Sequence, residues 1–321
     1  MVKYSFIVPI FNDGYLAADF CESYLAAFQR YLHSDQIEHA CELIFVDDGS
    51  EDGSADTLTE LASRYAFVKV ISLSRNFGQH IALSCGYRHA RGSYVGMINV
   101  DGQEPADQIP VVLEHIERGG CDIVFGLRTR RAGSMSERFT SRAFGLVLNK
   151  LTGYAVPLNV ATIRVMNRRF VDAYNRLSES SRYLPGLESW LGFRRGYVPV
   201  THTARLRGKS SYDFSRRLSM AADAVISFSD LPLRMTALLG FAIVALSFVL
   251  ASILTIQKLF FIRIQLGYTS TVCLILFLGG TQLSVVGMAS LYIGRILREV
   301  QRRPLYVIRD AVNVERQDSR E

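Results

Sequence analysis

Glu42-Leu43-Ile44-Phe45-Val46-Asp47-Asp48-Gly49-Ser50 is an apolar run that stops abruptly on a polar turn. Such a run reads as a strand buried on both faces of a parallel sheet. Toward the C-terminus, Ser54 to Tyr65 has helical spacing and Val68 to Leu73 is a third strand. His80 to Ala90 is a further helix, and Tyr94 to Val100 a fourth strand. Toward the N-terminus, Tyr4 to Ile10 is the first strand, with a helix following to about Tyr31. Strands alternating with helices predict right-handed crossovers and a mainly parallel, Rossmann-like α/β sheet. Ligands of such sheets sit beyond the carboxyl ends of the strands. The polar clusters of this chain fall at those ends.

The most informative cluster is Asn99-Val-Asp101-Gly-Gln103, directly after the fourth strand. A carboxylate with a second oxygen ligand two residues on suits a hard cation, Mg²⁺ or Mn²⁺, bridging a diphosphate. Its value would be to neutralise charge on a departing nucleoside diphosphate. Alone, such an Asp is an ordinary turn residue. Its company changes the reading. Val8-Pro9-Ile10-Phe11-Asn12-Asp13 ends the first strand, where Pro9 and Phe11 form a flat apolar wall for a base. Asp13 and Asp48 are carboxylates placed to accept hydrogen bonds from a ribose or base, although Asp-Gly-Ser alone is a turn before a helix N-cap. Leu73-Ser-Arg75-Asn76-Phe77-Gly78 adds a cation and an adaptable glycine at the same edge.

The 321 residues are 49% hydrophobic with mean hydropathy +0.15, and the apolar excess is local. Met235 to Ile256 holds no charge, enough to cross about 30 Å of hydrocarbon, and neither does Ile264 to Gly294. The net charge of +6 does not mark nucleic acid, because the arginines flank these runs. Arg216, Arg217 and Arg234 precede the first; Arg295, Arg298, Arg302, Arg303 and Arg309 follow the second; only Lys258 and Arg263 lie between. That asymmetry predicts both termini and the catalytic domain in the cytoplasm, on a multi-pass protein of the inner membrane. Met1-Val2-Lys3 runs straight into a strand, so no signal peptide is expected. Five scattered cysteines have no metal-ligand spacing and read as reduced.

The expected organisation is a catalytic domain over 1–213, an interfacial amphipathic helix over 214–233, two transmembrane helices over 234–295 and a basic cytoplasmic tail over 296–321. Within it, Arg142 to Leu151 and Ser215 to Phe228 have amphipathic spacing, the latter suited to a membrane surface contacting lipids. The last dozen charged residues read as disordered. Gly280, Gly287 and Gly294 share one face of the second span, suited to close helix packing; a homo-oligomer is a separate expectation.

Several stretches resemble the inverting family 2 glycosyltransferases of GT-A fold, and more narrowly the polyprenyl-phosphate sugar transferases related to dolichol-phosphate mannose synthase. They are Ile7-Val-Pro-Ile-Phe-Asn12, Phe45-Val-Asp-Asp-Gly-Ser50, Ser72 to Gly78, Asp101-Gly-Gln103, Asp122 to Arg128 and Ser227 to Arg234. The resemblance implies a UDP- or GDP-linked sugar donor, a divalent metal and an undecaprenyl- or dolichyl-phosphate acceptor. It makes Pro9, Phe11, Asp13, Asp48, Arg75 and Gly78 nucleotide-binding residues, and Asp101, Gln103 and Asn99 metal ligands. Arg128, Arg138 and Ser141 fall where the family grips the lipid phosphate, with Arg205 and Lys209 in a loop, also holding Tyr212, that closes over the site. Asp101, Arg128 and Arg138 are thereby the catalytic candidates. Arginine forks suit phosphate oxygens independently, although a solvated face or contact with anionic headgroups is the alternative.

Two departures stand out. The family has Asp-x-Asp where this chain has Asn99-Val-Asp101, and Asp-Phe-Arg where it has Thr162-Ile163-Arg164. Asn99 still offers an oxygen, without charge. A phosphate acceptor is already ionised and needs no general base, so the missing acid disfavours a hydroxyl acceptor. Transfer to a lipid-linked or surface saccharide, and a non-catalytic nucleotide-sugar-binding assembly subunit, remain alternatives.

Overall fold

The structure is a computed structural model that describes residues 2–34, 37–128, 160–180, 182–201, 231–260 and 268–314. Its first half follows the expected alternation: β1 (Tyr4–Ile10), α1 (Ala17–Leu32), β2 (Cys41–Asp47), α2 (Ser54–Arg64), β3 (Val68–Leu73), α3 (Gln79–His89) and β4 (Tyr94–Met97). Helix α4 (Ile109–Glu117) and β5 (Ile123–Arg128) follow, then β6 (Val160–Asn167), α5 (Arg168–Asn175), α6 (Leu184–Trp190) and β7 (Arg195–Val200). A last strand, β8 (Ile308–Val312), completes one sheet in the order β7-β5-β6-β4-β1-β2-β3-β8. Pairs β1–β2, β1–β4, β2–β3 and β5–β7 are parallel. Pairs β3–β8, β4–β6 and β5–β6 are antiparallel, so the sheet is mixed but mostly parallel.

Burial explains why the strands read so clearly. Every residue of β2 is buried, and Phe6, Tyr24, Phe28 and Phe45 fill the space under α1. The Tyr24 and Phe28 rings lie 4.6 Å apart between centroids, a tilted contact that adds orientation to plain apolar burial. Glu42, charged at the head of β2, is tolerated because Ser5 Oγ, Lys69 Nζ and the Arg91 amide all donate to it.

The fourth strand is shorter than its apolar pattern predicts. It ends at Met97, and only the Ile98 amide still reaches the neighbouring strand, donating to Ile7 O at 3.2 Å. Asn99 to Gln103 therefore leave the ladder, turning on Gly102 at φ 69°.

The chain forms two compact units. The first comprises Met1–Asn149, Tyr154–Phe214 and Pro304–Glu321, and the second Lys150–Gly153 and Ser215–Arg303. The second unit contains two long helices, α7 (Leu231–Phe260) of 30 residues and α8 (Tyr268–Val300) of 33. At 1.5 Å per residue these run about 45 and 50 Å. Among the described residues one segment, Phe277–Val300, is long and apolar enough to cross a membrane, with mean hydropathy 1.2 and none of it buried.

The C-terminal tail differs from its charged composition. Asp310, Ala311 and Val312 belong to β8, paired with β3, although a disordered end was expected. The polar side chains of the tail find fixed partners: Asn313 Nδ2 donates to Ala62 O at 2.7 Å and Val68 O at 3.0 Å. Composition counts charges, but an open sheet edge supplies backbone partners regardless of side chain. The expected helices over 142–151 and 215–228 lie outside the described residues.

Candidate active site

The carboxyl ends of β1 to β3 are tied together by side chains bonded to backbone amides, and the β4 end joins them through the Gln79 and Asn99 side chains. Asp48 follows β2, and its two carboxylate oxygens accept from Phe77 N at 2.7 Å and Gly78 N at 2.8 Å. Burial pushes this carboxyl up from its ordinary pKa, while the two amides and Arg75 pull against that rise. Asp48 thus holds the loop after β3 by both oxygens. Gly49 (φ 71°) permits the approach: an added Cβ would sit 2.4 Å from the Arg75 carbonyl carbon. Arg75 lies over the Phe77 ring at 4.2 Å, exposed at the rim.

On the next strand end, Phe11 is 45% exposed, as a wall for a flat ligand must be. Pro9 pairs in register with Val46 inside the sheet, so it shapes the wall from behind. Asn12 adopts φ 57°, accepts from Glu51 N at 3.0 Å and donates its own amide to Ser50 Oγ at 3.0 Å. Asp13 follows it, and the Gly14 amide bonds Ser54 Oγ at 2.9 Å. The loops after β1 and β2 are therefore one hydrogen-bonded unit.

The metal candidates gather after β4. Asp101 is 8% exposed, and its Oδ1 accepts from Gln103 N at 3.1 Å. Asn99 Oδ1 accepts from Gln79 Nε2 at 3.1 Å, linking this turn to the start of α3. The set is one carboxylate with neutral amide oxygens, which suits a hard cation completed by water and diphosphate. Among the described residues no group of three His, Cys, Asp or Glu side chains converges as a metal cluster.

Glu104, the next residue along, was not singled out from sequence. It is 2% exposed and accepts from Thr162 N and Ile163 N, both at 2.7 Å. Arg128, last in β5, approaches the same carboxylate, Nη2 to Oε1, at 3.7 Å. Beyond it, Arg164 Nη1 donates to both Glu188 oxygens at 2.7 Å, with both residues buried. Burial opposes the charge on Arg164, but Glu188, with smaller help from Tyr87 and Glu104, raises its pKa above the ordinary value. A cavity of about 240 Å³ opens here, lined by Thr162, Arg164, Glu188, Ser189 and Arg195 among apolar residues. Thr162-Ile163-Arg164, where an Asp was expected first, is thus gripped by two buried carboxylates. The adjacency of Glu104 to Gln103 was the one available signal. Glu188 offered none, because its partner is 24 residues away on a different element.

Of the expected site residues, Pro9, Phe11, Asp13, Asp48, Arg75, Gly78, Asn99, Asp101, Gln103 and Arg128 lie at the carboxyl ends of β1 to β5. Arg138, Ser141, Arg205 and Lys209 lie outside the described residues.

The family model for glycosyl transferase family 2 matches residues 5–174. The chain belongs to that family. It is a glycosyltransferase. A glycosyltransferase of Synechocystis named as uncharacterized is 34% identical over 315 residues, covering 98% of this chain and 97% of its own length. The bactoprenol glucosyl transferase of Shigella phage SfV is 32% identical over 312 residues, covering 96% and 99%. A solved mannosyltransferase from Pyrobaculum calidifontis, in complex with GDP-Man and Mn²⁺, aligns at 15% identity with TM-score 0.49, over 70% of this chain and 63% of that one. In this transferase β2 to β6, with the strand ends that carry most of the expected site residues, fall inside the family match, and Glu188 lies beyond it. Burial pushes the His80 imidazole down to about 4, and His89 Nδ1 lies 2.9 Å from Cys85 O.

Proposed function

We propose that this glycosyltransferase is a membrane-bound inverting enzyme of GT-A fold that moves one sugar from a nucleotide donor to polyprenyl phosphate. The observation that carries this reading is the joining of five strand ends into one edge, with Asp101 and Gln103 at its centre and Arg128 beside them. The full-length similarity to proteins named bactoprenol glucosyl transferase supports the acceptor.

In this mechanism Phe11 and Pro9 flank the base, and the Arg75 to Gly78 loop, clamped by Asp48, borders the nucleotide. Asp101, Gln103 and Asn99 would hold Mg²⁺ or Mn²⁺, whose chemistry is to offset charge growing on the leaving nucleoside diphosphate. A lipid phosphate oxygen attacks the anomeric carbon in line, the bond to the diphosphate breaks with its electron pair, and the configuration inverts. The attacking oxygen is already ionised, so the chain supplies no base at Thr162. Arg128, with Arg138, Ser141, Arg205 and Lys209, orients that phosphate and lowers the cost of bringing two anions together. Glu104 keeps Arg128 near the metal loop. The test is purified protein with radiolabelled UDP- and GDP-sugars and undecaprenyl phosphate. A labelled lipid product is expected; label reaching only an added saccharide would overturn the acceptor assignment.

The membrane arrangement belongs to the same reading. Helices α7 and α8 both span, with the catalytic domain and tail in the cytoplasm. Reporters fused after Glu321 and within Ser54–Tyr65 should both read cytoplasmic, and one near Gln265 should read exterior. A C-terminal reporter on the exterior side would leave one spanning helix and contradict the arginine asymmetry.

A further inference from the structure

The residues after α8 rejoin the first unit beside the nucleotide loops. Val307 O accepts from Ser74 N at 2.9 Å, one residue before Arg75, and β8 then runs antiparallel to β3. Within this strand Arg309 Nη2 lies 3.9 Å from Asp47 Oδ2. Asp47 is fully buried at the end of β2, and among the described residues no hydrogen bond reaches that oxygen. Arg309, half exposed, presents its guanidinium to that oxygen while its Nε donates to Asp310 Oδ2 at 3.0 Å. The other oxygen of Asp47 accepts from Ser50 N at 2.9 Å. Ser50 Oγ in turn takes the Asn12 amide, between Phe11 and Asp13. Asp48, next in chain, holds the Phe77 and Gly78 amides. One chain of contacts thus runs from the tail through Asp47 to every proposed nucleotide loop.

We infer that Arg309 is a positioning residue for the donor crevice: by fixing Asp47 it sets the Gly49–Ser50 turn and the two loops leaning on it. The C-terminal strand is then part of the donor site, although it follows both long helices in sequence. The inference rests on the nucleotide-sugar reading above, but the positioning it describes is measurable without a ligand.

The experiment uses full-length protein in detergent and has two arms. Hydrogen exchange compares the amides of Ser50 and of Ser74 to Gly78 in wild type and Arg309→Ala. Exchange there should rise about tenfold, while α4 amides stay unchanged. Titration with UDP and GDP then follows, and donor and acceptor KM are measured separately. Arg309→Ala should weaken nucleotide binding and raise donor KM about three- to tenfold, leaving acceptor KM within about twofold, with Arg309→Lys restoring most of the loss. Adding Asp47→Asn to Arg309→Ala should cost little more, since one interaction is already gone. Unchanged exchange in the two loops overturns the inference whatever the ligand. So does nucleotide binding equal to wild type, or donor and acceptor KM rising together. Wild type that binds neither nucleotide, with the exchange effect intact, overturns the donor reading instead and leaves the positioning of the loops by Arg309 standing.

Discussion

Asp101→Ala should reduce sugar transfer by at least about a hundredfold while the protein still folds and inserts into membrane. Asp101 is buried, but its Oδ1 accepts from its own turn, at Gln103 N, 3.1 Å away. Losing that contact loosens a loop, whereas the core under α1 is untouched. What disappears is the one full negative charge in the oxygen set, which neither Asn99 nor Gln103 can replace. The measurement is transfer rate with Mg²⁺ or Mn²⁺, alongside circular dichroism and membrane fractionation. EDTA should silence wild type and metal return should restore it, with no response in the variant. Asn99→Asp should keep or raise metal affinity, because it adds charge where Gln79 now donates to the amide oxygen. Wild-type activity undiminished by EDTA would falsify the metal assignment.

Arg128→Ala should raise the KM for polyprenyl phosphate about ten- to a hundredfold and leave the donor KM nearly unchanged. A charge-assisted contact from a guanidinium to phosphate is worth about 1.5–3 kcal/mol, which sets that range. Arg128 is about one-third exposed and ion-paired to Glu104 at 3.7 Å, so its fork is oriented before substrate arrives. Lysine should rescue only partly, since a point charge lacks the bidentate geometry. If Arg128 instead meets lipid headgroups, the variant will loosen from membranes at low salt with acceptor KM intact. In that event the lipid-phosphate assignment goes.

Both variants probe residues that were legible in the chain, for one reason. Asp101 and Arg128 sit at strand ends, and a strand is announced by its own local pattern. The supporting contacts were not legible. Glu104 reads as a loop acid next to Pro105, yet it is buried on amides nearly 60 residues away. Glu188 reads as a surface residue of a short helix beside exposed Trp190, yet it neutralises Arg164 inside a cavity. The grip of Asp48 on the Phe77 and Gly78 amides, about 30 residues away, was likewise not announced by its position.

By itself the sequence determined the α/β alternation, the polar strand ends, the two long apolar helices and the family resemblance, because each depends on residues close together in the chain. A buried run such as Leu43 to Val46 has few alternatives open to it, and an uncharged run such as Met235 to Ile256 fewer still. The tertiary structure alone decided where the tail goes and what binds the loops to one another. Pro304 to Asn313 has no apolar periodicity to announce a strand; it is ordered by the open edge of β3 and by Arg309 meeting a buried carboxylate more than 260 residues earlier. Edge pairing and buried charge compensation depend on which surfaces folding leaves open, and local composition carries no record of that.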